Sequence, residues 1–312
     1  MTREDRLRWT LVLNLLIAGG QVVFGLRANS LGLLADAGHN LTDVLAVALS
    51  FVAVRLVARS PTEERSFGYH RASILAAQAN AASILAITVL IYFEAVRRLF
   101  HPEAVTGSIV VWVALIAAAF NGAAVLILRE KNTDLNMRSA LLHMGGDALA
   151  SLGVAAAGGI ILVTGRFFWL DPAVSIGIGT LIAWQAWRLL KAATEILMES
   201  TPPDMELTDL TRSMEGVRGV ENVHDLHVWS LSSEVRALSA HVVLEGHPSL
   251  EEAQAVADRV KRSVSAPFHI AHATLELECE NCVDDGSWCA MSDVSTPAAT
   301  GVTPELGGSN PP

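Results

Sequence analysis

The chain has 312 residues, of which 51% are hydrophobic and only 17% charged. Its mean hydropathy of +0.40 makes it more apolar than a soluble protein of this size normally is. The net charge of -10 at pH 7 argues against a nucleic-acid partner, because phosphate binding requires patches of Lys and Arg. Apolar residues fill long runs before about residue 200 and are sparser afterwards, which predicts a membrane domain followed by a soluble one.

The N-terminal segment carries charges of both signs and leads into a long apolar run without a small-residue cleavage site. This pattern does not predict a cleavable signal peptide, so the run is interpreted as a membrane span. Further apolar runs follow, each long enough to supply the about 20 residues that cross a bilayer as a helix. Six spans are predicted, over residues 10–26, 31–57, 72–100, 108–128, 137–164 and 172–197.

Lys and Arg lie mainly on one side of the predicted spans. That side carries Arg3, Arg6, Arg8, Arg55, Arg59, Arg65, Arg71, Arg129, Lys131, Arg138, Arg188 and Lys191. The other side carries Arg27, Arg97, Arg98 and Arg166. Because positive charge in short loops favours the cytoplasm, both termini and the soluble tail are predicted to be cytoplasmic.

Two of the predicted spans carry the same pair of polar residues. The second contains A-G-H-N-L-T-D, with His39 and Asp43, and the fifth contains L-H-M-G-G-D, with His143 and Asp147. Side chains four residues apart share one face of a helix, so two such helices facing each other offer two imidazole nitrogens and two carboxylate oxygens. This donor set suits tetrahedral Zn²⁺. Ion pairing is the weaker alternative, because no Lys or Arg lies in a span near either carboxylate and a membrane carboxylate costs about 3 kcal/mol.

Other polar residues in the spans have less specific interpretations. Asp36 lies three residues before His39 on the same helix face. It either supports the site, lies on the route by which metal enters, or begins a helix at the membrane interface. A further group is interpreted as forming hydrogen bonds between helices, in preference to a direct role in ion passage. These residues are Asn14, Gln21, Gln78, Asn80 and Asn121.

The pattern changes at Thr201, where two prolines follow and end the sixth helix. The prediction is then a helix over 205–215, strands over 220–231 and 235–244, a helix with its N-cap at Ser249 that ends near Val264, and a strand over 269–277. The final segment is rich in Ser, Thr, Pro, Gly and Ala and is predicted to be disordered. The predicted domains are 1–200, 201–280 and 281–312.

The six-span plan, the paired motifs and the loop S-F-G-Y-H-R-A-S-I-L-A-A resemble the cation diffusion facilitator family. The segments V-H-D-L-H-V-W-S-L and L-S-A-H-V-V-L resemble the cytoplasmic domain of its zinc-transporting members. The resemblance, over residues 11–278, implies an α-helical polytopic membrane protein with a C-terminal α+β ferredoxin-like, metallochaperone-like domain. It also implies a homodimeric exporter that exchanges cytoplasmic metal for protons. The bacterial inner membrane is the expected location.

The histidines of the paired motif bear on which metal is moved. Family members with His and Asp in this motif are typically zinc transporters, some of which also pass Cd²⁺, whereas manganese-preferring members have Asp in both places. His39 and His143 therefore favour zinc, as does the affinity of imidazole for this metal. The alternatives are an exporter of Co²⁺, Ni²⁺, Fe²⁺ or Mn²⁺, or a membrane-bound metal sensor. An enzyme is not expected, because no nucleophile motif or phosphate-binding loop is present.

The soluble part is rich in histidine. It contains His224, His227, His241, His247, His269 and His272. In zinc-transporting relatives, the positions of His224, His241 and His272 bind cytoplasmic zinc, and the acid matching Glu278 can join them. The resemblance thus implies a regulatory zinc site that stabilises the dimer. Surface histidines are the alternative, and His227, His247 and His269 are interpreted as structural.

Three cysteines cluster at the C-terminal end beside carboxylates, which does not predict a disulfide framework. Cys279 and Cys282 form C-x-x-C, a common zinc spacing, so they are candidate ligands of the regulatory site. His70 matches a family position at the interface of membrane and cytoplasm. It is interpreted as part of an interfacial metal site or as a solvated loop histidine.

Overall fold

The computed structural model describes residues 3–128 and 135–280. Within this range, the side chains of residues 3–13, 127–128, 135–140 and 142–143 are not described. The chain divides into two compact units, Met1–Ser200 with Trp229–Val235, and Thr201–Val228 with Arg236–Pro312. The predicted tail over 281–312 lies outside the described residues.

The described residues of the first unit, which also includes Trp229–Val235, form six long helices. They are α1 (Arg3–Ala28), α2 (Leu31–Val57), α3 (Ala72–Phe100), α4 (Gly107–Leu128), α5 (Leu135–Thr164) and α6 (Leu170–Leu197). Among the described residues, α2 to α6 are long and apolar enough to cross a membrane, and α1 has a shorter apolar stretch, Asn14–Ala28. Large apolar side chains such as Phe51, Phe93 and Trp112 are exposed, as expected of helices that face lipid.

Small residues allow these helices to pack closely. A Cβ atom at Gly107 of α4 would lie 2.7 Å from the carbonyl oxygen of Gly158 on α5. A Cβ atom at Gly179 of α6 would lie 2.8 Å from the ring of Tyr92 on α3. Gly107 therefore brings the backbones of α4 and α5 together in the way that is usual inside membranes, and Gly179 makes room for the Tyr92 ring against α6.

The start of α2 is capped from another helix. Ser30 is the N-cap and accepts a hydrogen bond from the N–H of Leu33 at 3.2 Å. The carboxylate of Asp171, at the start of α6, accepts from the N–H groups of Leu31 at 2.6 Å and Gly32 at 3.2 Å, and from the Ser30 hydroxyl. The first N–H groups of a helix have no partner within it, so this carboxylate satisfies donors that are otherwise buried without a partner.

As far as Glu280, where the described residues end, the second unit contains a small sheet and two helices. Its elements are α7 (Leu207–Glu215), β1 (Val220–Ser230), β2 (Arg236–Leu244), α8 (Leu250–Phe268) and β3 (Ile270–Glu278), and the last residues of β1 belong to the first unit. The strand order is β1-β2-β3, and β2 and β3 are parallel. The helix α8 makes the crossover that parallel strands need. Its buried residues Val260 and Val264 belong to the same hydrophobic core as Leu238 and Val242 of β2.

The cap predicted at the start of α8 is confirmed, whereas the end of this helix differs from the prediction. Ser249 accepts from the N–H of Glu252 at 3.4 Å, and the Glu252 carboxylate accepts from the N–H of Ser249 at 2.9 Å. The helix continues beyond Val264, through Pro267, to Phe268. Proline lacks the N–H that would bond the carbonyl four residues earlier, and the Ser213 hydroxyl of α7 donates to that carbonyl, of Ser263, at 3.5 Å.

Candidate metal centres

The first candidate centre lies between α2 and α5. The Nε2 atom of His39 lies 3.0 Å from Oδ1 of Asp147 and 3.8 Å from Oδ2 of Asp43. Ligand atoms of these three residues all lie within 4.8 Å of one another. Two ligands of one tetrahedral zinc ion, each at about 2.1 Å, are about 3.4 Å apart. The three side chains are therefore close enough together to share one metal ion.

Helical spacing and burial explain how this centre is built. Four residues separate His39 from Asp43, so one turn of α2 presents both side chains to α5. The side chains of His39 and Asp147 are each 11% exposed, whereas that of Asp43 is 35% exposed. Asp43 is thus the most exposed of the three side chains.

A small cavity adjoins His39. It is lined by residues of three helices, among them Thr42 of α2, Ile87 and Thr88 of α3, and Gly179 of α6. Its volume of about 10 Å³ is near the minimum that holds one water molecule. The centre therefore borders α3 and α6 as well as α5.

His143 is the fourth ligand predicted from the sequence. It lies on α5, one helical turn before Asp147. Its side chain is outside the described residues, so three of the four predicted ligands are brought together and the fourth is placed only by its helix.

Asp36 lies one turn before His39 and is completely buried. Its Oδ2 atom accepts hydrogen bonds from Gln21 Nε2 of α1 at 2.6 Å and from Ser151 Oγ of α5 at 2.7 Å. Asn40 Nδ2 donates to Gln21 Oε1 at 2.8 Å. Of the interpretations left open by the sequence, the helix-start position does not hold, because α2 begins at Leu31, five residues before Asp36. Ser151 was not identified as a partner from sequence, although it lies one turn from Asp147.

A second cluster lies on the three-stranded sheet. His224 of β1 and His241 of β2 both meet Glu278 of β3, with His224 Nε2 at 3.2 Å from Oε2 and His241 Nδ1 at 2.9 Å from Oε1. The two imidazole rings are 5.2 Å apart in an edge-to-face arrangement. Ligand atoms of all three residues lie within 4.8 Å of one another. Each strand thus supplies one residue of a second candidate metal centre.

Two further acids approach this cluster. Asp225 Oδ2 and Glu276 Oε2 lie 3.6 Å and 3.4 Å from His241 Nε2. Asp225, which has a φ of 48°, also lies 3.2 Å from His227 Nε2. Sequence reasoning did not select either acid. Two features of the sequence could have indicated these acids. One is the D-L-H sequence that begins at Asp225, and the other is the alternation of side chains along β3, which places Glu276 and Glu278 on one face of the strand.

Comparison with known proteins gives the family. Residues 7–198 match the profile of the cation efflux transmembrane domain, and residues 202–280 match that of the cation efflux protein, cytoplasmic domain. The chain belongs to the cation efflux family. This confirms the resemblance inferred from the motifs, and it makes the chain an integral membrane protein of a transporter family.

Individual members of the cation efflux family are similar along most of their length. The zinc transporter ZitB of Escherichia coli is 37% identical over 270 residues, which cover 84% of this chain and 83% of ZitB. The metal cation efflux system protein CzcD of Cupriavidus metallidurans is 33% identical over 84% of this chain and 82% of its own length. The cadmium, cobalt and zinc/H(+)-K(+) antiporter of Bacillus subtilis is 32% identical, with 83% and 84% covered.

Some ligands predicted for this cation efflux protein are not gathered at either centre. His272 is exposed and precedes Glu278 by six residues on β3, a distance of about 20 Å along a strand. Cys279 is exposed just after β3, and Cys282 is outside the described residues. His70 lies between α2 and α3, is half-buried and belongs to neither of the metal-ligand groups found among the described residues.

Proposed function

We propose that this protein exports Zn²⁺, and also Cd²⁺, from the cytoplasm in exchange for protons. The observation that carries the proposal is the group formed by His39, Asp43 and Asp147 within 4.8 Å, on two helices long and apolar enough to cross a membrane. Nitrogen and oxygen donors of this kind suit zinc. The names of the relatives, a zinc transporter and a cadmium, cobalt and zinc antiporter, support the same substrates.

His143 is the fourth ligand of this transport site. The contacts between α2 and α5 follow an antiparallel register, in which Asp36 meets Ser151 and His39 meets Asp147. One further turn along both helices pairs position 43 with position 143. His143 would then complete a set of two nitrogen and two oxygen donors.

Exchange for protons follows from the chemistry of the ligands. Imidazole and carboxylate groups must be deprotonated to bind metal, so metal binding releases protons and protonation releases metal. Histidine normally titrates near neutral pH. A site containing His39 and His143 therefore holds either the metal or protons. Protonation on the outer side releases the ion, and deprotonation on the cytoplasmic side prepares the site again.

The membrane domain covers residues 1–200 and has six spans, with α1 as the first and both termini in the cytoplasm. The asymmetric distribution of Lys and Arg supports this topology, and the bacterial relatives support an inner-membrane location. The domain 201–280 is ferredoxin-like. The parallel β2–α8–β3 crossover supports that assignment. A homodimer forms.

The cluster of His224, His241 and Glu278 is a regulatory zinc site of the cytoplasmic domain. Its burial and its mixed nitrogen and oxygen donors support zinc binding, and zinc bound there stabilises the dimer. The participation of His272, Cys279 and Cys282 stays a prediction of the sequence. Among the described residues, His272 and Cys279 do not join the cluster, and Cys282 lies outside the described part of the chain.

Zinc content and flux measured on the same preparation test the transport site. The full chain is reconstituted into vesicles, and the wild type is compared with His39→Ala and His143→Ala. Both variants are expected to lose zinc bound at the membrane site and to lose flux. His101→Ala is the matched control, because His101 is exposed in the loop between α3 and α4. Full flux in either site variant would remove the assignment, and zinc binding without any wild-type flux would favour a metal sensor.

A further inference from the structure

Asp36 links three helices beside the transport site. One oxygen of its buried carboxyl group accepts hydrogen bonds from Gln21 on α1 and Ser151 on α5. The side chain of Gln21 is itself oriented by Asn40, which donates to its carbonyl oxygen at 2.8 Å. Water does not compete for these partners in an apolar bundle, so the bonds persist. Asp36 therefore joins α2 to α1 and α5.

The bond to Ser151 lies one turn from the metal ligands. Asp36 precedes His39 by three residues on α2, and Ser151 follows Asp147 by four residues on α5. The bond between Asp36 and Ser151, of 2.7 Å, and the contact between His39 and Asp147, of 3.0 Å, are thus successive contacts of one antiparallel helix pair. Since helices are stiff over one turn, a displacement at the first contact also displaces the second.

Close packing limits movement one turn further along the pair. A Cβ atom at Gly32 of α2 would lie 3.3 Å from Cγ1 of Val154 on α5. The helices therefore already touch at this level and cannot approach further. Packing at Gly32 limits approach, and the bond from Asp36 to Ser151 limits sliding and separation.

We propose that the Asp36–Ser151 hydrogen bond sets the separation of the His39 and Asp147 ligands and thereby favours Zn²⁺ over Cd²⁺. Asp36 is a positioning residue in this proposal, which rests on the proposed transport function. Ligands of one tetrahedral zinc ion lie about 3.4 Å apart, and the larger Cd²⁺ ion requires longer bonds and a wider separation. A helix pair held in register resists that widening.

The charge of Asp36 has a different effect from its hydrogen bond. Its second oxygen, Oδ1, is buried and has no hydrogen-bond partner among the described residues, so it takes no part in holding the helices. When ionised, the group attracts Zn²⁺ and Cd²⁺ alike, because both ions carry two charges. Loss of the charge therefore changes the transport of Zn²⁺ and of Cd²⁺ by the same factor. Loss of the hydrogen bond instead changes the ratio of Zn²⁺ transport to Cd²⁺ transport.

Transport of both metals by the full chain in phospholipid vesicles separates these effects. The quantity measured is kcat/KM for Zn²⁺ divided by kcat/KM for Cd²⁺. Ser151→Ala is expected to lower this ratio by about tenfold, which is the lower end of the effect that groups orienting metal ligands have on metal affinity or activity. Ser151→Thr and Asp36→Asn keep the hydrogen bond and are expected to keep the wild-type ratio within about twofold, even where Asp36→Asn slows both metals.

A second variant and a control complete the experiment. Asp36→Leu has a similar volume and cannot accept from Ser151, so it is expected to lower the ratio as Ser151→Ala does. Ser175→Ala is the control, because the buried Ser175 hydroxyl donates to the carbonyl of Asp171 within α6. The ratio of kcat/KM values for the two metals should be unchanged in this variant. The inference is overturned if Ser151→Ala and Asp36→Leu both keep the wild-type ratio, or if the wild type transports Zn²⁺ and Cd²⁺ equally well. Neither result affects the proposed function. A wild type that moves neither metal overturns the proposed function.

Discussion

The carboxylate of Asp171 accepts a hydrogen bond from the backbone N–H of Leu31 at 2.6 Å, although the two residues lie on different helices. It thereby fixes the start of α2, the helix that carries His39 and Asp43. Arg98 of α3 donates to the carbonyl of Asn29 at 2.8 Å, just before this start. The turn between α1 and α2 is thus held from both α3 and α6.

Loss of this cap is expected to destabilise the membrane unit. Asp171→Ala leaves the N–H groups of Leu31 and Gly32 buried without an acceptor, which costs about 2–3 kcal/mol. This corresponds to a fall of roughly 5–10 °C in the unfolding temperature of a unit of this size. Thermal unfolding of the purified full chain in detergent measures the change. Asp171→Asn keeps one acceptor oxygen and should lose less, so equal losses in the two variants would contradict the capping role.

The acidic ligands are expected to be essential for transport and not for folding. Asp43→Ala and Asp147→Ala each remove one oxygen ligand, which should lower zinc flux by about 100-fold or more. Flux into vesicles is measured together with the unfolding temperature, which should change little. A variant that keeps its flux would remove the corresponding residue from the transport site.

Coupling to protons predicts a counterflow. Zinc flux in vesicles should move protons in the opposite direction, and a reversed pH gradient should slow it, because protons and metal compete for the same ligands. A pH-sensitive dye and a zinc-sensitive dye report the two fluxes in one experiment. Zinc flux that continues unchanged without proton movement would disprove the coupling.

The cluster on the sheet is expected to bind zinc independently of transport. His241→Ala removes the residue that contacts Glu278 at 2.9 Å, and the full chain should then bind one zinc ion fewer per protomer. His247→Ala is the control, since His247 is exposed and outside the cluster. Metal content after dialysis measures the difference. A wild-type zinc content in His241→Ala would contradict the regulatory site. That result would leave the assignment of His39 to the transport site unchanged.

The cap of α8 predicts a pH dependence of stability. The hydrogen bond from the Ser249 N–H, and then that from its side chain, lower the pKa of Glu252 below its ordinary value of 4.5. A carboxyl whose pKa is lowered by folding contributes stability that is complete above the ordinary value and is lost as the pH falls through the lowered one. Glu252→Gln should therefore be less stable than the wild type at pH 7 and approach it in acid.

Calorimetry of the full chain at several pH values measures this difference. Glu251→Gln provides the matched control, because Glu251 lies in the same first turn of α8 and has no part in the capping box. A difference between Glu252→Gln and the wild type that does not shrink in acid would contradict the prediction.

Local features of the sequence were sufficient to predict the helices and strands and some of the residues at each site. The bounds of α2 and α3 were predicted to the residue, because a long apolar run and its polar ends are sufficient to define a helix. The shared face of His39 and Asp43 also follows from one turn of helix. The histidines of the sheet could be named as candidates in the same way, from residue type and resemblance.

Contacts between distant segments needed the tertiary structure. Nothing in the sequence indicates that Asp171 caps a helix that begins about 140 residues earlier, or that Asp36 is buried against Ser151. The register of three strands likewise decides that Glu278 meets His224 and His241 while His272 lies apart. The physical reason is that helix and strand patterns depend on neighbouring residues, whereas the distance between His39 and Asp147 depends on how whole helices pack.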